Sequence, residues 1–310
     1  MKHVLVTGGN GFIGGYVTDE LEARGYRPVV LDTRWRKPRG EADLVLGDIR
    51  DASSVTEAVA HVDGVIHLAG VLGTQETIEN PRPAAETNIL GGLNVFEAVA
   101  QYHLPAVNIA VGNWWMNNTY SITKNTMERF AEMFNRFRGT RITVVRALNA
   151  YGPGQVPTAP FGPSKVRKVM PSFICRALTG QPIEVYGDGE QIMDFIYAAD
   201  VAKILVTALE VTNRTGAVTS VLEAGSGRKT TINDVAQIVA REIEGRGHSV
   251  AIEHLPMRPG EDARSVVLGD PLTLAPLGID PADLVSLEDG IASTVAYFAN
   301  DFEPSMELVG

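Results

Sequence analysis

The stretch KHVLVTGGNGFIG, Lys2–Gly14, decides how the chain folds. Val4, Leu5 and Val6 form a short apolar run that reads as a buried strand. It passes straight into Gly8, Gly11 and Gly14, and a helical pattern follows over GGYVTDELEARG with Gly25 as its stop. Gly8 permits a tight turn, Gly11 lets the backbone approach a pyrophosphate, and Gly14 allows close packing of helix on strand. The phosphates then meet free N–H groups and the positive end of a helix dipole. The next strand, YRPVVLDT, ends at Asp32. A carboxylate there accepts bonds from both adenosine ribose hydroxyls and repels a 2′-phosphate, so the pattern predicts NAD rather than NADP. Arg34, Arg36 and Lys37 follow it and read as a solvated loop.

Strands and helices alternate from there. ADLVLGDIRD is the third strand, ending at Asp48, whose carboxylate either reaches the adenine or serves the turn after Gly47. The helix ASSVTEAVAHV, the strand DGVIHLAG, the helix ETNILGGLNVFEAVAQYH and the strand PAVNIAVG come next. YSITKNTMERFAEMFNRFRG is a further helix and RITVVRALNAYG a sixth strand. This order predicts an α/β fold, a Rossmann-type doubly wound parallel sheet with helices on both faces. The NAD-binding domain is expected over 1–150 and a smaller α/β substrate-binding part over 151–310, with segments of about 190–225 returning to the first domain.

Composition narrows the classes. A net charge of −10 over 310 residues argues against a nucleic-acid surface, which needs a basic footprint. No apolar run reaches the roughly 18–20 residues of a membrane span, and glycines interrupt the N-terminal apolar run too early for a signal peptide. The single cysteine, Cys175, allows no intrachain disulfide and reads as a buried small hydrophobe. A cytoplasmic protein without a metal site is expected.

Within NIAVGNWWMNNTYSITKN, Asn108–Asn125, stand Tyr120 and Lys124, four apart and so on one helix face. A neighbouring ammonium favours the phenolate, which can take a proton from a sugar hydroxyl. TGGNGFIG, GDIRD, HLAG, TNILGGLNV, YSITK, RALNAYGPGQ, VYGDG and RPGE occur in the order of the extended short-chain dehydrogenases/reductases. From about Val4 to about Arg264 the chain resembles their NAD-dependent epimerase/dehydratase branch, which acts on nucleotide sugars. The resemblance implies bound NAD on Gly8, Gly11, Phe12, Ile13 and Gly14, on Asp32, Asp48 and Ile49, and on Leu68, Ala69 and Gly70. Tyr120 and Lys124 would be catalytic, Lys124 also bonding the nicotinamide ribose. A nucleotide-diphosphate sugar would be met by Asn149 and Lys168, with Val185 and Tyr186 near the base, Arg258 on the diphosphate and Glu261 on the ribose. A homodimer through the helices near 89–102 and 120–137 is also implied. Met127, Phe130, Ala131, Phe134 and Phe137 form an apolar stripe that suits either the core or that interface. Trp114 and Trp115 suit either the core or a cover over the sugar.

Two departures from the family pattern shape the functional expectation. The usual serine or threonine falls at Val111 or Gly112, and neither side chain donates a hydrogen bond. Thr119, Ser121, Asn113 and Asn117 are the candidate substitutes, and Asn113 is preferred because its amide can donate and helix geometry turns Thr119 and Ser121 away. Met193 stands where the family has a diphosphate arginine, leaving Arg258 to act with Arg167, Lys168 or Arg264. Lys165, Arg167 and Lys168 read as a solvated charge run, the commoner case, or as a diphosphate contact. Dehydratases of this family carry Asp-Glu after the hydroxyl residue, and here Gly112 and Asn113 follow Val111. A 4-epimerase, with transient oxidation by NAD and Tyr120 as base, is therefore expected ahead of a dehydratase, decarboxylase or keto-sugar reductase. An NAD-binding sensor that has lost catalysis is the alternative of another class.

Overall fold

The computed structural model describes residues 1–36, 40–258, 261–262 and 264–301. Lys37, Pro259 and Gly260 lie outside the described residues. Seven strands form one parallel sheet: β1 (His3–Thr7), β2 (Arg27–Asp32), β3 (Asp43–Leu46), β4 (Gly64–His67), β5 (Pro105–Val111), β6 (Arg141–Ala147) and, after an excursion, β11 (Leu222–Ala224). Their spatial order is β11-β6-β5-β4-β1-β2-β3, and every pairing is parallel. This is the doubly wound sheet expected. The order reverses between β1 and β4, which opens a crevice at the carboxyl ends of the strands.

Helices cover both faces. On one, α1 (Phe12–Ala23) and α7 (Ala198–Thr215) pack over Val4, Val6, Ile66, Val107 and Val145. On the other, α2 (Ala52–Val59), α4 (Gly92–Tyr102) and α5 (Thr119–Arg138) cover Leu5, Val65, Ala106 and Val144. All seven residues of β5 are buried, as a central strand covered on both faces requires. Asn118 caps α5 by accepting from the Ser121 N–H at 2.9 Å, and Gly139 closes it at φ +64°. In the apolar stripe of α5, Met127, Ala131 and Phe134 face the core, whereas Phe137 is exposed.

Two elements differ from the sequence reading. RITVVRALNAYG is not one strand. At Leu148 the backbone changes partners: Leu148 N–H donates to Ala224, whereas Asn149 N–H donates to the Asp194 carbonyl. β7 (Asn149–Tyr151) therefore leaves the sheet and pairs with β10 (Phe195–Tyr197). The helix before β5 also starts earlier, with α3 (Arg82–Ala85) and a wide π turn over Glu86–Gly91 ahead of α4. That turn carries Asn88, whose side chain bonds both the Val71 N–H and the Val71 carbonyl, and Thr123 of α5.

The second lobe contains α6 (Val169–Leu178), β8 (Ile183–Tyr186), β9 (Ile192–Met193), β12 (Thr230–Thr231), α8 (Ile232–Glu244), β13 (Ile252–Leu255), β14 (Val266–Val267) and α9 (Leu287–Asp301). Its core gathers Phe173, Ile174, Val185, Val239, Ile291 and Phe298. α7 and β11 return to the first sheet between these elements. Among the described residues no helix is long and apolar enough to cross a membrane.

Candidate active site

A cleft of about 900 Å³ runs along the carboxyl ends of the sheet and between the lobes. Its first end is the glycine turn. Gly8 has φ +71°, and a Cβ there would stand 2.9 Å from the Ala69 backbone. A Cβ on Gly14 would meet the Gly8 and Gly9 carbonyl oxygens at 2.5 Å, so α1 can start this close to β1 only without one. Gly8, Gly11, Phe12, Ile13 and Gly14 all line the cleft, as do Leu68, Ala69 and Gly70 after β4. Asp32, 7% exposed, has its carboxylate oriented by the N–H groups of Asn10 (3.1 Å) and Arg34 (3.0 Å). A nearly buried acceptor beside a glycine turn fits a dinucleotide's ribose. Ile49 lines the cleft beside Asp48, whose carboxylate is gripped by Arg50 Nη2 at 2.6 Å and held below its ordinary pKa by that bond.

Tyr120 and Lys124 open into the middle of the cleft from the first turns of α5. Lys124 is 5% exposed, and desolvation lowers its pKa to about 8 against the pull of Glu128. Burial pushes the Tyr120 phenol upward. The sequence reading expected the ammonium to lower it; desolvation dominates instead. His67, 3% exposed, lies behind the pair, bonded to Thr7 Oγ1 at 2.7 Å, and burial followed by the Lys124 charge lowers its pKa to about 3.

Of the four hydroxyl substitutes, Asn113 lines the cleft, with Nδ2 against Met116 Sδ at 3.4 Å. Thr119 donates to the Thr77 carbonyl, Ser121 is fully buried, and Asn117 is exposed outside the lining. The position itself has a specific neighbour. A Cβ on Gly112 would collide with Leu148 Cδ1, because Leu148 follows the residue paired with Val111 and folds into the space beside the glycine. Trp114 and Trp115 take neither expected place: both are partly exposed, and Trp114 stacks on Arg146 at 4.6 Å.

The second lobe supplies Asn149, Lys168, Arg258 and Glu261 to the lining. Asn149 spends its amide N–H on the Asp194 carbonyl at 3.0 Å. Arg258 and Glu261 form an ion pair with each other. Lys168 sits at the start of α6, where burial and the neighbouring Arg258 lower its pKa and Glu76 raises it. Val185 requires a correction. β8 alternates inward and outward, and Val185 is an inward residue with 0% exposure, so its side chain cannot touch a base. Tyr186 points outward but outside the cleft lining, with the guanidinium groups of Arg167 and Arg258 against its ring at 5.0 and 4.9 Å. Arg167 lines the cleft with its donors spent on Glu184, Tyr186 and Ser172, and Arg264 is exposed outside the lining. Of these candidates Lys168 is thus the cleft-lining cation whose side chain makes no bond among the described residues.

Two cleft residues escaped the sequence reading. Gln155 and Gln191 are 8% and 6% exposed, and each has an Oε1 with no partner among the described residues. Their Nε2 groups donate to the carbonyls of Ala150 and Tyr186, which fixes the amide orientation. A buried acceptor left unmet costs about 1–3 kcal/mol, and from the cleft wall both can accept from a ligand's N–H or O–H. Neither has a signal in the sequence, since a glutamine after a turn is ordinarily solvated.

Known proteins share the family motifs and the fold. The model of the NAD dependent epimerase/dehydratase family matches residues 4–111 and 111–221. A Methanocaldococcus jannaschii protein carrying the provisional name UDP-glucose 4-epimerase is 30% identical, over 96% of this chain and 99% of its own. The dTDP-glucose 4,6-dehydratase of Xanthomonas campestris is 29% identical over 95% of this chain and 92% of its own. The crystal structure of Thermotoga maritima UDP-glucose 4-epimerase with UDP-glucose superposes with a TM-score of 0.86 at 28% identity, over 97% of this chain and 100% of that one.

Proposed function

The chain belongs to the NAD dependent epimerase/dehydratase family, and on that premise we propose that it is a nucleotide-sugar 4-epimerase. NAD is its cofactor, and bound in the cleft it would supply reversible hydride transfer to and from a sugar carbon. The observation that carries the reading is the chemistry around Tyr120. Among the described residues of the cleft, the carboxylates are Asp32 and Asp48 at one end and Glu261 and Asp262 at the other, with none on the loop before Tyr120. Elimination of water needs an acid and a base beside the sugar, whereas epimerisation needs one proton-transfer group.

In this reading the Tyr120 phenolate takes the hydroxyl proton and hands it back. Lys124, on the same face of α5, supplies the charge that favours the phenolate and holds the nicotinamide ribose. Val111, Leu148, Met116 and Met193 give the cleft an apolar wall with few donors, which leaves a keto-sugar free to turn between oxidation and reduction. Lys168 and Arg258 meet the diphosphate, Arg258 exchanging Glu261 for phosphate, while Asn149, Gln155 and Gln191 bond ligand groups. Asn113, which follows Gly112 and lines the cleft, offers its amide in place of the family hydroxyl. Residues 1–150 hold the cofactor, 151–310 mainly the nucleotide sugar. Exposed Leu90, Ile122 and Phe137 support a homodimer through the helices near 89–102 and 120–137, and the lone buried Cys175 fits a cytoplasmic enzyme.

Incubation with UDP-, dTDP- and GDP-sugars, read by mass spectrometry and NMR, tests the proposal. An isomer of equal mass is expected; loss of water or carbon dioxide would move the chain to another reaction of the family. Leu148 in the space beside Gly112 favours one second reading, an NAD-binding sensor, which predicts no turnover and no reduction of bound NAD by any sugar.

A further inference from the structure

We propose that Arg146 is a positioning residue that keeps Lys124 unpaired by holding Glu128 away from it. Lys124 and Glu128 are four residues apart on α5, a spacing at which lysine and glutamate ordinarily meet. Both are buried, 5% and 7% exposed, where attraction between opposite charges is strong. Yet Lys124 has no hydrogen bond or ion pair with any described residue. Glu128 is taken instead by β6: Arg146 Nε reaches its two oxygens at 3.1 and 3.2 Å, and Nη2 reaches Oε2 at 2.7 Å.

Arg146 is itself fixed from two further sides. Nη1 donates to Glu223 of β11 at 3.1 Å, and Glu223 is pinned by the Asp270 N–H at 2.8 Å. Trp114, from the loop before α5, lies over the guanidinium at 4.6 Å. The planar fork suits a carboxylate as a single ammonium does not, so Glu128 has a better partner in Arg146 than in Lys124. The lysine keeps its three donors for a ligand in the cleft. This gives the half-exposed Trp114 a use that neither core packing nor sugar contact describes.

The inference rests on the proposed role of Lys124, but its test needs no substrate, so its failure is separable from failure of the epimerase reading. The charged group bearing on Lys124 is Glu128, the Lys124 charge acts in turn on His67 from β4, and Tyr120 stands one turn before it on α5. The full chain is labelled with ¹³Cε-lysine, the Lys124 signal is assigned by its loss in Lys124→Arg, and its titration is followed by NMR. In Arg146→Met, Glu128 is released onto Lys124, and the lysine pKa is expected to rise by about one to three units. Direct binding measurements should show NAD affinity falling by about three- to tenfold as the lysine donors are engaged. In Arg146→Met/Glu128→Gln both effects should revert. An unmoved titration in Arg146→Met overturns the proposal, as does a rise that persists in the double variant. If Arg146→Met does not fold, Arg146→Gln, whose uncharged amide cannot grip Glu128 as the guanidinium fork does, carries the same expectation and the same refutation.

Discussion

Replacing Gly112 with serine restores a hydroxyl at the end of β5, and the contact with Leu148 determines what that costs. A new Cβ collides with Leu148 Cδ1 and stands 3.3 Å from both Leu148 Cγ and Val267 Cγ1. The leucine must leave its place, an overpacking cost of about 1–3 kcal/mol. Leu148→Ala alone removes a side chain only 9% exposed, at a cost of about 2–5 kcal/mol. If the two sites were independent, the double variant would lose the sum, about 3–8 kcal/mol. They share one space, so serine should relieve part of the cavity and the cavity part of the collision. Gly112→Ser/Leu148→Ala is expected to be more stable than additivity by about 1–3 kcal/mol. Urea unfolding of the four proteins measures this at equal m-values. Additivity within about 0.5 kcal/mol would refute the claim that Leu148 occupies the space of the family hydroxyl.

Tyr120→Phe should lower turnover by about 10²–10⁴-fold, the usual weight of a general base, while leaving bound NAD unchanged; turnover at the parent rate would remove Tyr120 from the chemistry. Gln191→Leu should weaken UDP binding by about three- to tenfold in calorimetry, since a buried acceptor is lost to the ligand. His67 makes stability depend on acid. Its pKa of about 3 lies below the free value of 6.5, so between these values the unfolded chain binds a proton that the folded one excludes. Stability is therefore lost as pH falls through that window, by about 1.4 kcal/mol per unit from this group. His67→Asn should flatten the urea-derived stability profile by that slope, and parallel profiles would contradict it.

What was legible in the sequence was local or periodic. The run Val4–Val6 with Gly8, Gly11 and Gly14 carries its own turn geometry, and Asp32 ends the neighbouring strand, so the sheet, the family and NAD could all be read in advance. Tyr120 and Lys124 reached the same cleft because one helix carries both. What was hidden depends on contacts between distant segments. Leu148 meets Gly112 only through the β5–β6 register. Gln191 becomes a buried acceptor because the Tyr186 carbonyl takes its amide. Arg167 looked free to bind phosphate until β8 brought Glu184 against it at 2.6 Å. Val185 was readable and misread, since the alternation of IEVY already turns it inward with Ile183.

The central claim, reversible oxidation of a sugar carbon with return of the same hydride, is tested most directly with nucleotide sugars deuterated at C4. Mass spectrometry and NMR of the product should show an isomer of unchanged mass that keeps its deuterium at C4, inverted, with no free NAD consumed. Product that has lost water or carbon dioxide, deuterium washed out to solvent, or unaltered sugar across the UDP-, dTDP- and GDP-series would contradict it.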